Sequence, residues 1–312
     1  MIKKFFFAAL AAVAFTGCNE KEVELAEVQS GDKVQLTVRL PEVMTKATGT
    51  PKDATVNDVQ IFIFDKNGVY EVSDEGRGSS LTLTWTTGEK KIVALVNAPL
   101  QNNVRNIEDI RAREADLMDC ALNNIVMAGE ITQVLTASTT VTMPVERLAA
   151  RVSIAMIKPE FELSQHRGLE FKVKSVYLIN AASKRAYLTA NTPTNWYNKG
   201  QYIAATSPTF LYDEVSSDVI AEGDAYTTEH FFYCYPNATT TPTRLVVEAE
   251  VGGFTYYYPI TLTDIAPNTA YIYNLTITRL GSESPDVPVS DLDVKVSVTV
   301  KDWTIQNVNE TI

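Results

Sequence analysis

The expected fold is all-β: two tandem β-sandwich domains with Greek-key connections and one short helix in the first. Three observations carry this expectation. Val34, Leu36, Val38 and Leu40 alternate with Lys33, Gln35, Thr37 and Arg39, the period of two expected where one face of a strand is buried. Two tight-turn signals separate strand-like runs: Asp65-Lys66-Asn67-Gly68 after Val59–Phe64, and Gly252-Gly253 between Arg244–Val251 and Phe254–Leu262. Asn-Gly and Gly-Gly pairs supply the positive φ angles that two-residue hairpins need. The 312 residues leave 295 once an export signal is set aside, room for one large or two ordinary domains.

The elements follow in order. Met1 to Cys18 has a basic patch (Lys3, Lys4), an apolar run from Phe5 to Phe15 and small residues before Cys18. The run is shorter than the roughly 20 apolar residues of a membrane span and has the layout of an export signal. Phe15-Thr16-Gly17-Cys18 fits a lipobox, with Phe15 replacing the usual Leu; an ordinary secretory signal is the alternative. An acidic, polar tether follows, then the alternating strand. Further strands are expected at Val59–Phe64, Leu81–Trp85, Lys91–Asn97, Thr139–Val145 and Val152–Ile157, and then at Phe171–Ile179, Phe231–Tyr235, Arg244–Val251, Phe254–Leu262, Tyr271–Thr278 and Val294–Trp303. A helix is expected over Ile107–Leu122, with Asn106 as N-cap and acidic residues in its first turn. Pro144 to Ala150 reads as a hinge, with the domain boundary near Arg147.

Composition narrows the function. A net charge of −11 argues against nucleic acid, whose phosphates require a concentrated basic surface. Beyond Cys18, Cys120 and Cys234 lie far apart and outside any Cys-x-x-Cys spacing, so they read as free buried thiols. His166 and His230 have no ligand-spaced neighbours, and Asp213 and Glu214 read as loop solvation. No Gly-x-Ser-x-Gly elbow, Walker loop or dinucleotide turn appears, so neither an enzyme, a metal nor a cofactor is expected. Phe231, Phe232, Tyr233, Tyr235, Tyr256, Tyr257 and Tyr258 suit core packing, with a carbohydrate platform as the alternative. A monomeric glycan-binding lipoprotein is accordingly the rival function from another class.

The first strand poses the mechanical question. It reads as an edge strand, followed by Pro41 and then by Met44-Thr45-Lys46-Ala47-Thr48-Gly49-Thr50-Pro51. Small, polar and Pro/Gly-rich loops are preferred sites of proteolysis, and Lys46 offers a trypsin-like protease a cut before Ala47. A cut there frees Val34, Leu36, Val38 and Leu40, leaving a place for a strand donated by another copy. Such a contact is head-to-tail and need not close. At the other end, the tail Thr304–Ile312 carries Ile305, Val308 and Ile312. Ile305 and Val308 differ in parity, so a bulge is needed for both to face one groove. On these residues alone, a frayed terminus explains the tail as well as a donor does.

These residues resemble the fimbrillin family, the type V pilins of Bacteroidales, over nearly the whole chain. The matching segments are Val56-Asn57-Asp58-Val59-Gln60-Ile61-Phe62-Ile63-Phe64-Asp65, Arg147-Leu148-Ala149-Ala150-Arg151-Val152 and Tyr233-Cys234-Tyr235-Pro236-Asn237. Tyr271 to Gly281, Pro285 and Val300-Lys301-Asp302-Trp303 complete the set. The resemblance implies two transthyretin-like sandwich domains, at 47–147 and 148–312, behind a signal peptide (1–17) and a propeptide (18–46). It also implies a precursor lipidated at Cys18 in the outer membrane, removal of the first strand by a protease, and a surface fimbria assembled by strand exchange with other copies and other subunits. Family precursors are usually cut after Arg. Lys46-Ala47 departs from that, with Arg39 as a less suitable site inside the strand. An uncut, lipid-anchored accessory subunit is the alternative role within the family.

Overall fold

The computed structural model describes residues 32–41, 51–289 and 294–302. The first half contains β1 (Lys33–Arg39), β2 (Val59–Asp65), β3 (Tyr70–Gly76), β4 (Ser80–Thr86), β5 (Gly88–Val96), α1 (Ile107–Arg111), β6 (Glu114–Asp116), β7 (Met127–Leu135), β8 (Thr139–Thr142) and β9 (Glu146–Arg147). The second contains β10 (Ala150–Pro159), β11 (Phe171–Ile179), β12 (Ala181–Ala182), β13 (Lys184–Ala186), β14 (Trp196–Tyr197), β15 (Tyr212–Glu214), β16 (His230–Cys234), β17 (Arg244–Val251), β18 (Phe254–Thr261), β19 (Thr269–Ile277) and β20 (Val294–Asp302). The strands expected from alternation are present, and β11 and β17 have the expected bounds.

In the first half a three-stranded sheet, β4-β1-β8, faces a five-stranded sheet, β3-β2-β5-β7-β9. Strands β2 and β5 of the five-stranded sheet are buried on both faces. Val59, Ile61 and Ile63 of β2, with Ile92, Ala94 and Val96 of β5, turn toward β1. Phe62, Phe64, Val93 and Leu95 turn the other way, into a larger apolar cluster that includes Ile107 and Ile110 of α1 and continues through Val152, Phe171, Val247 and Leu275. Burial on both faces is why Val59–Phe64 is nearly unbroken in apolar character rather than alternating. The second half stacks β16-β10-β19-β20 against β15-β11-β17-β18 around that larger cluster.

The β2–β3 turn forms where expected, but of the Asn-Gly pair only Gly68, and not Asn67, takes a positive φ. The Asp65 carboxylate accepts the amides of Asn67 and Val69, both at 2.8 Å, and Gly68 takes φ +85° with the Ile107 side chain directly against it. A Cβ at Gly68 would lie 2.9 Å from that side chain.

Three expectations are corrected. The helix is α1 alone. Asn106 caps it in a capping box with Asp109, but the chain leaves the helix after Arg111. Glu114–Asp116 pairs instead with Lys184–Ala186 of the second half, and Leu117–Asp119 forms a 3-10 turn whose first amide donates to the Ser183 carbonyl at 2.8 Å. A tertiary strand pairing overrides the helical periodicity. The strand expected over Thr139–Val145 ends at Thr142, just ahead of Pro144, which has no N–H to give a ladder. The segment Pro144–Ala150 is not an exposed hinge, since Arg147, Leu148, Ala149 and Ala150 are all buried. Strands β3 and β7 escape the pattern reading, because β3 is mostly polar and Gly129 interrupts β7.

Gly129 has a steric task. A Cβ there would stand 1.9 Å from the Pro144 carbonyl oxygen, a clash with backbone that no rotamer relieves. Gly129→Ala is expected to cost about 3 kcal/mol, the upper range for overpacking, read as a lowered midpoint in urea unfolding.

Candidate functional site around the first strand

β1 is a central strand and not an edge, which corrects the sequence reading. It pairs antiparallel with β4, setting Val34 opposite Trp85, Leu36 opposite Leu83 and Val38 opposite Leu81. On its other side it pairs in parallel with β8, setting Leu36 opposite Thr139 and Val38 opposite Val141. The pairing extends past both ends of the strand: Thr87 N donates to Asp32 O at 3.0 Å, Leu40 N to Ser79 O at 2.7 Å, and Met143 N to Arg39 O at 2.8 Å. Arg39, the alternative cut site, thus has its backbone engaged on both sides, which denies it the free extended conformation a protease requires.

Alternation sorts the side chains. Val34, Leu36, Val38 and Leu40 are all buried, while Lys33, Gln35 and Arg39 face out. Thr37 shares a 2.9 Å hydroxyl contact with Thr82 on the outer face. The four inward side chains fill the space between the sheets, over Val59, Ile61, Ile63, Ile92, Met127 and Leu135. At about 1.5–3 kcal/mol per fully buried aliphatic side chain, they contribute roughly 6–12 kcal/mol as an upper bound. Withdrawing β1 opens an apolar groove between two unpaired strand edges, those of β4 and β8. Exposed edges of that kind recruit other strands.

One end of the groove is polar. Lys90 is buried and places its ammonium 2.7 Å from Glu71, with the Thr86 hydroxyl at 3.1 Å. Trp85, the partner of Val34, donates its indole N–H to the same carboxylate at 2.8 Å. A buried pair of this kind adds little net stability but is costly to leave half-made. Its geometry therefore fixes Trp85 against the apolar cluster.

β20 lies at the edge of its sheet, bonded only to β19 among the described strands. Val294 is buried, but Val296, Val298 and Val300 are 39%, 43% and 58% exposed. Val294, Val296 and Val298 line a cavity of about 320 Å³ with Pro259, Ile260, Tyr273 and Val289. Of the other predicted site residues, Cys18, Lys46, Ala47, Ile305, Val308 and Ile312 lie outside the described residues.

The remaining candidates resolve as structural. Phe232, Tyr233, Tyr235 and Tyr258 are buried in the larger core, so the aromatic run serves packing. Cys120 and Cys234 are free and buried. Burial pushes their thiols up to about 11 and about 12, which keeps them protonated and unreactive. Asp213, read as loop solvation, is instead the partner of His230. The His230 Nδ1 lies 3.0 Å from its carboxylate, and Tyr226 Oη is 2.8 Å from Nε2. Strand pairing brings β15 and β16 to the same side of the sandwich, a proximity that sequence separation hid. Among the described residues no group of three or more His, Cys, Asp or Glu is placed to hold a metal.

Comparison with known proteins bears on this groove. Residues 33–158 match the family described as Major fimbrial subunit protein (FimA). A candidate cell adhesion protein from Bacteroides eggerthii superposes with a TM-score of 0.70 at 26% identity, covering 88% of this chain and 97% of its own. Over residues 33–158 the chain thus resembles the fimbrillins in sequence. A fimbrilin (FimA) from Porphyromonas gingivalis shares the fold, with a TM-score of 0.65 at 15% identity over 88% of this chain and 98% of its own. A candidate cell adhesion protein from Parabacteroides distasonis does likewise, at 0.69 and 17% over 88% and 97%. No curated protein matches by sequence. The fimbrillin match opens at Lys33, the first residue of β1, and ends at Lys158 in β10, so it spans both sheets of the groove.

Leu36 is fully buried at the centre of that groove. Leu36→Ala is expected to destabilise the intact chain by about 2–5 kcal/mol, measured by chemical unfolding, whereas Lys33→Ala on the outer face stays within about 0.5 kcal/mol.

Proposed function

We propose that this fimbrial structural subunit is made as a precursor lipidated on Cys18 in the outer membrane and cut by a trypsin-like protease between Lys46 and Ala47. The mature chain then polymerises at the cell surface, its groove receiving the carboxyl end of a neighbouring subunit. The observation that carries this reading is that β1 and the adjoining Leu40 place four side chains in the smaller core. β1 supplies the middle strand and, with Leu40 just beyond it, four core side chains of the β4-β1-β8 sheet, yet only residues 42–50 separate it in sequence from the next described segment.

The vacated groove sets rules for its occupant. A replacement strand running in the direction of β1 recovers antiparallel bonds to β4 and parallel bonds to β8. It also needs apolar side chains at alternate positions, matching Val34, Leu36, Val38 and Leu40. The proposed donor, Thr304–Ile312, follows β20 and presents Ile305, Val308 and Ile312, with a bulge reconciling their parity. The exposed valines of β20 support the reading, because the carboxyl end already displays a strand whose apolar face is incompletely covered. Donor and acceptor surfaces differ, so the contact propagates rather than closes. Residues 47–147 and 148–312 serve in this reading as the two sandwich domains of the mature subunit.

Mass and amino-terminal sequence of protein from sheared fibres and from washed outer membrane test the processing step. A fibre species beginning at Ala47 beside a lipidated species beginning at Cys18 is expected; uncut, lipidated chain in both fractions overturns it. Lys46→Ala is expected to leave membrane-bound monomer, and unchanged fibres would place the cut elsewhere. Deleting Thr304–Ile312 is expected to yield a folded, processed subunit that does not extend fibres. Polymers of normal length from that truncation would assign the donor to another segment.

A further inference from the structure

Asp53 is a buried carboxylate in a short 3-10 turn, Pro51–Ala54, directly ahead of β2. Side chains of β16 and β10 in the second half, together with Arg147 of β9, hold it. Tyr233 of β16 donates its hydroxyl to Asp53 Oδ1, and Arg151 of β10 brings Nε to 4.0 Å from Oδ2. Arg147 donates Nε to the Asp53 carbonyl at 3.1 Å and Nη1 to Asn268 Oδ1 at 3.0 Å. Arg151 is fixed in turn by Glu229 at 2.9 Å and by the Phe231 ring, 4.2 Å below its guanidinium. Burial draws the Arg147 guanidinium down to about 10, and the nearby Asp53 opposes that shift.

A second strap follows at once. Asn97 donates its amide to the Thr55 carbonyl at 2.7 Å and accepts the Asn57 N–H at 2.8 Å. Between them Val56 packs on the apolar cluster that β1 fills. Residues 53–57 are thereby held at two points, one on the second half and one on β5's end, with a hydrophobic contact to the groove between.

This arrangement is expensive for its position. A carboxylate and two guanidiniums taken out of water repay their desolvation only with near-complete pairing, and an apolar turn would dock a loop at less cost. The location supplies a reason. In the intact chain the segment is restrained from upstream by its covalent link to Leu40, which is buried in the groove. A tether of that length maintains a high effective concentration of the segment at its docking site. Once the chain is cut behind Lys46 that restraint is gone, and residues 53–57 become a new amino-terminal arm, the kind of segment that frays unless tied down.

We infer that Asp53, gripped by Tyr233, Arg151 and Arg147, is a positioning latch that keeps residues 53–57 docked and Val56 on the groove after the chain is cut upstream. The inference rests on the processing reading for its purpose. Its physical content, that the latch matters more in the cut chain than in the intact one, is separable from the natural cut site.

The test uses the full chain with a recognition sequence for a site-specific protease inserted between Lys46 and Ala47. Wild type, Asp53→Asn and Tyr233→Phe are each compared intact and nicked, by amide hydrogen exchange over residues 53–58, with β3 as an internal reference. Nicking the wild type is expected to change exchange over 53–58 less than about threefold. Nicking Asp53→Asn is expected to raise it at least about tenfold beyond the product of the two separate effects, with β3 unaffected. Tyr233→Phe keeps the carboxylate and carries the same comparison at smaller amplitude if Asp53→Asn does not fold. Effects of nick and substitution that simply multiply, or a nicked Asp53→Asn chain that exchanges like wild type, overturn the latch. A natural precursor left uncut at Lys46 would instead sink the processing reading, and this comparison would stand.

Discussion

A β-sandwich excludes water from its core only when both of its sheets are complete, and here the middle strand of one sheet is the first of the described strands. Without β1 the β4-β1-β8 sheet becomes two separated edges over an apolar floor. Every feature of the smaller core follows from that dependence. Leu36 and Val38 lie where the two sheets meet, Val141, Met143 and Val145 continue the wall beyond β8, and the Lys90–Glu71 pair with Trp85 closes one end. The five-stranded sheet beneath remains anchored through its opposite face, where Phe62, Phe64, Val93 and Leu95 join the larger core.

That asymmetry suits β1 to the exchange proposed above. Its loss strips one face of the five-stranded sheet and leaves the other face and the second half untouched. A strand buried between two halves of one cooperative core would take the fold with it. The parallel pairing with β8 adds direction, since a substitute strand recovers both ladders only by running the same way as β1. The match of residues 33–158 to the major fimbrial subunit family supplies the frame for the exchange proposed here.

Much of this was legible in residues. Alternation at 33–40 located β1 and its buried face, and the turn at 65–68 formed through the Asp65 carboxylate and Gly68 as their chemistry requires. Other features were hidden for physical reasons. The periodicity at 107–122 belongs to a helix only as far as Arg111, because pairing of Glu114–Asp116 with Lys184–Ala186 outweighs a helical preference that is weak for a short segment. Strand β3 has little apolar pattern because its position at a sheet edge asks for none. His230 and Asp213 meet because two edge strands come to one side of a sandwich.

By itself the sequence determined the class of fold, the strands that bury one or both faces, the turns between them and the resemblance to fimbrillins. Those properties depend on local periodicity, on backbone freedom at a few glycines and asparagines, and on the order of short motifs, all of which are written within windows of several residues. Tertiary structure alone decided that β1 is flanked on both sides, that Arg147 is buried rather than hinged, and that Asp53 is gripped from the second half. Each depends on which distant strand becomes a neighbour. Alternation states that a strand has an inner face, but it carries no record of what lies at its edges.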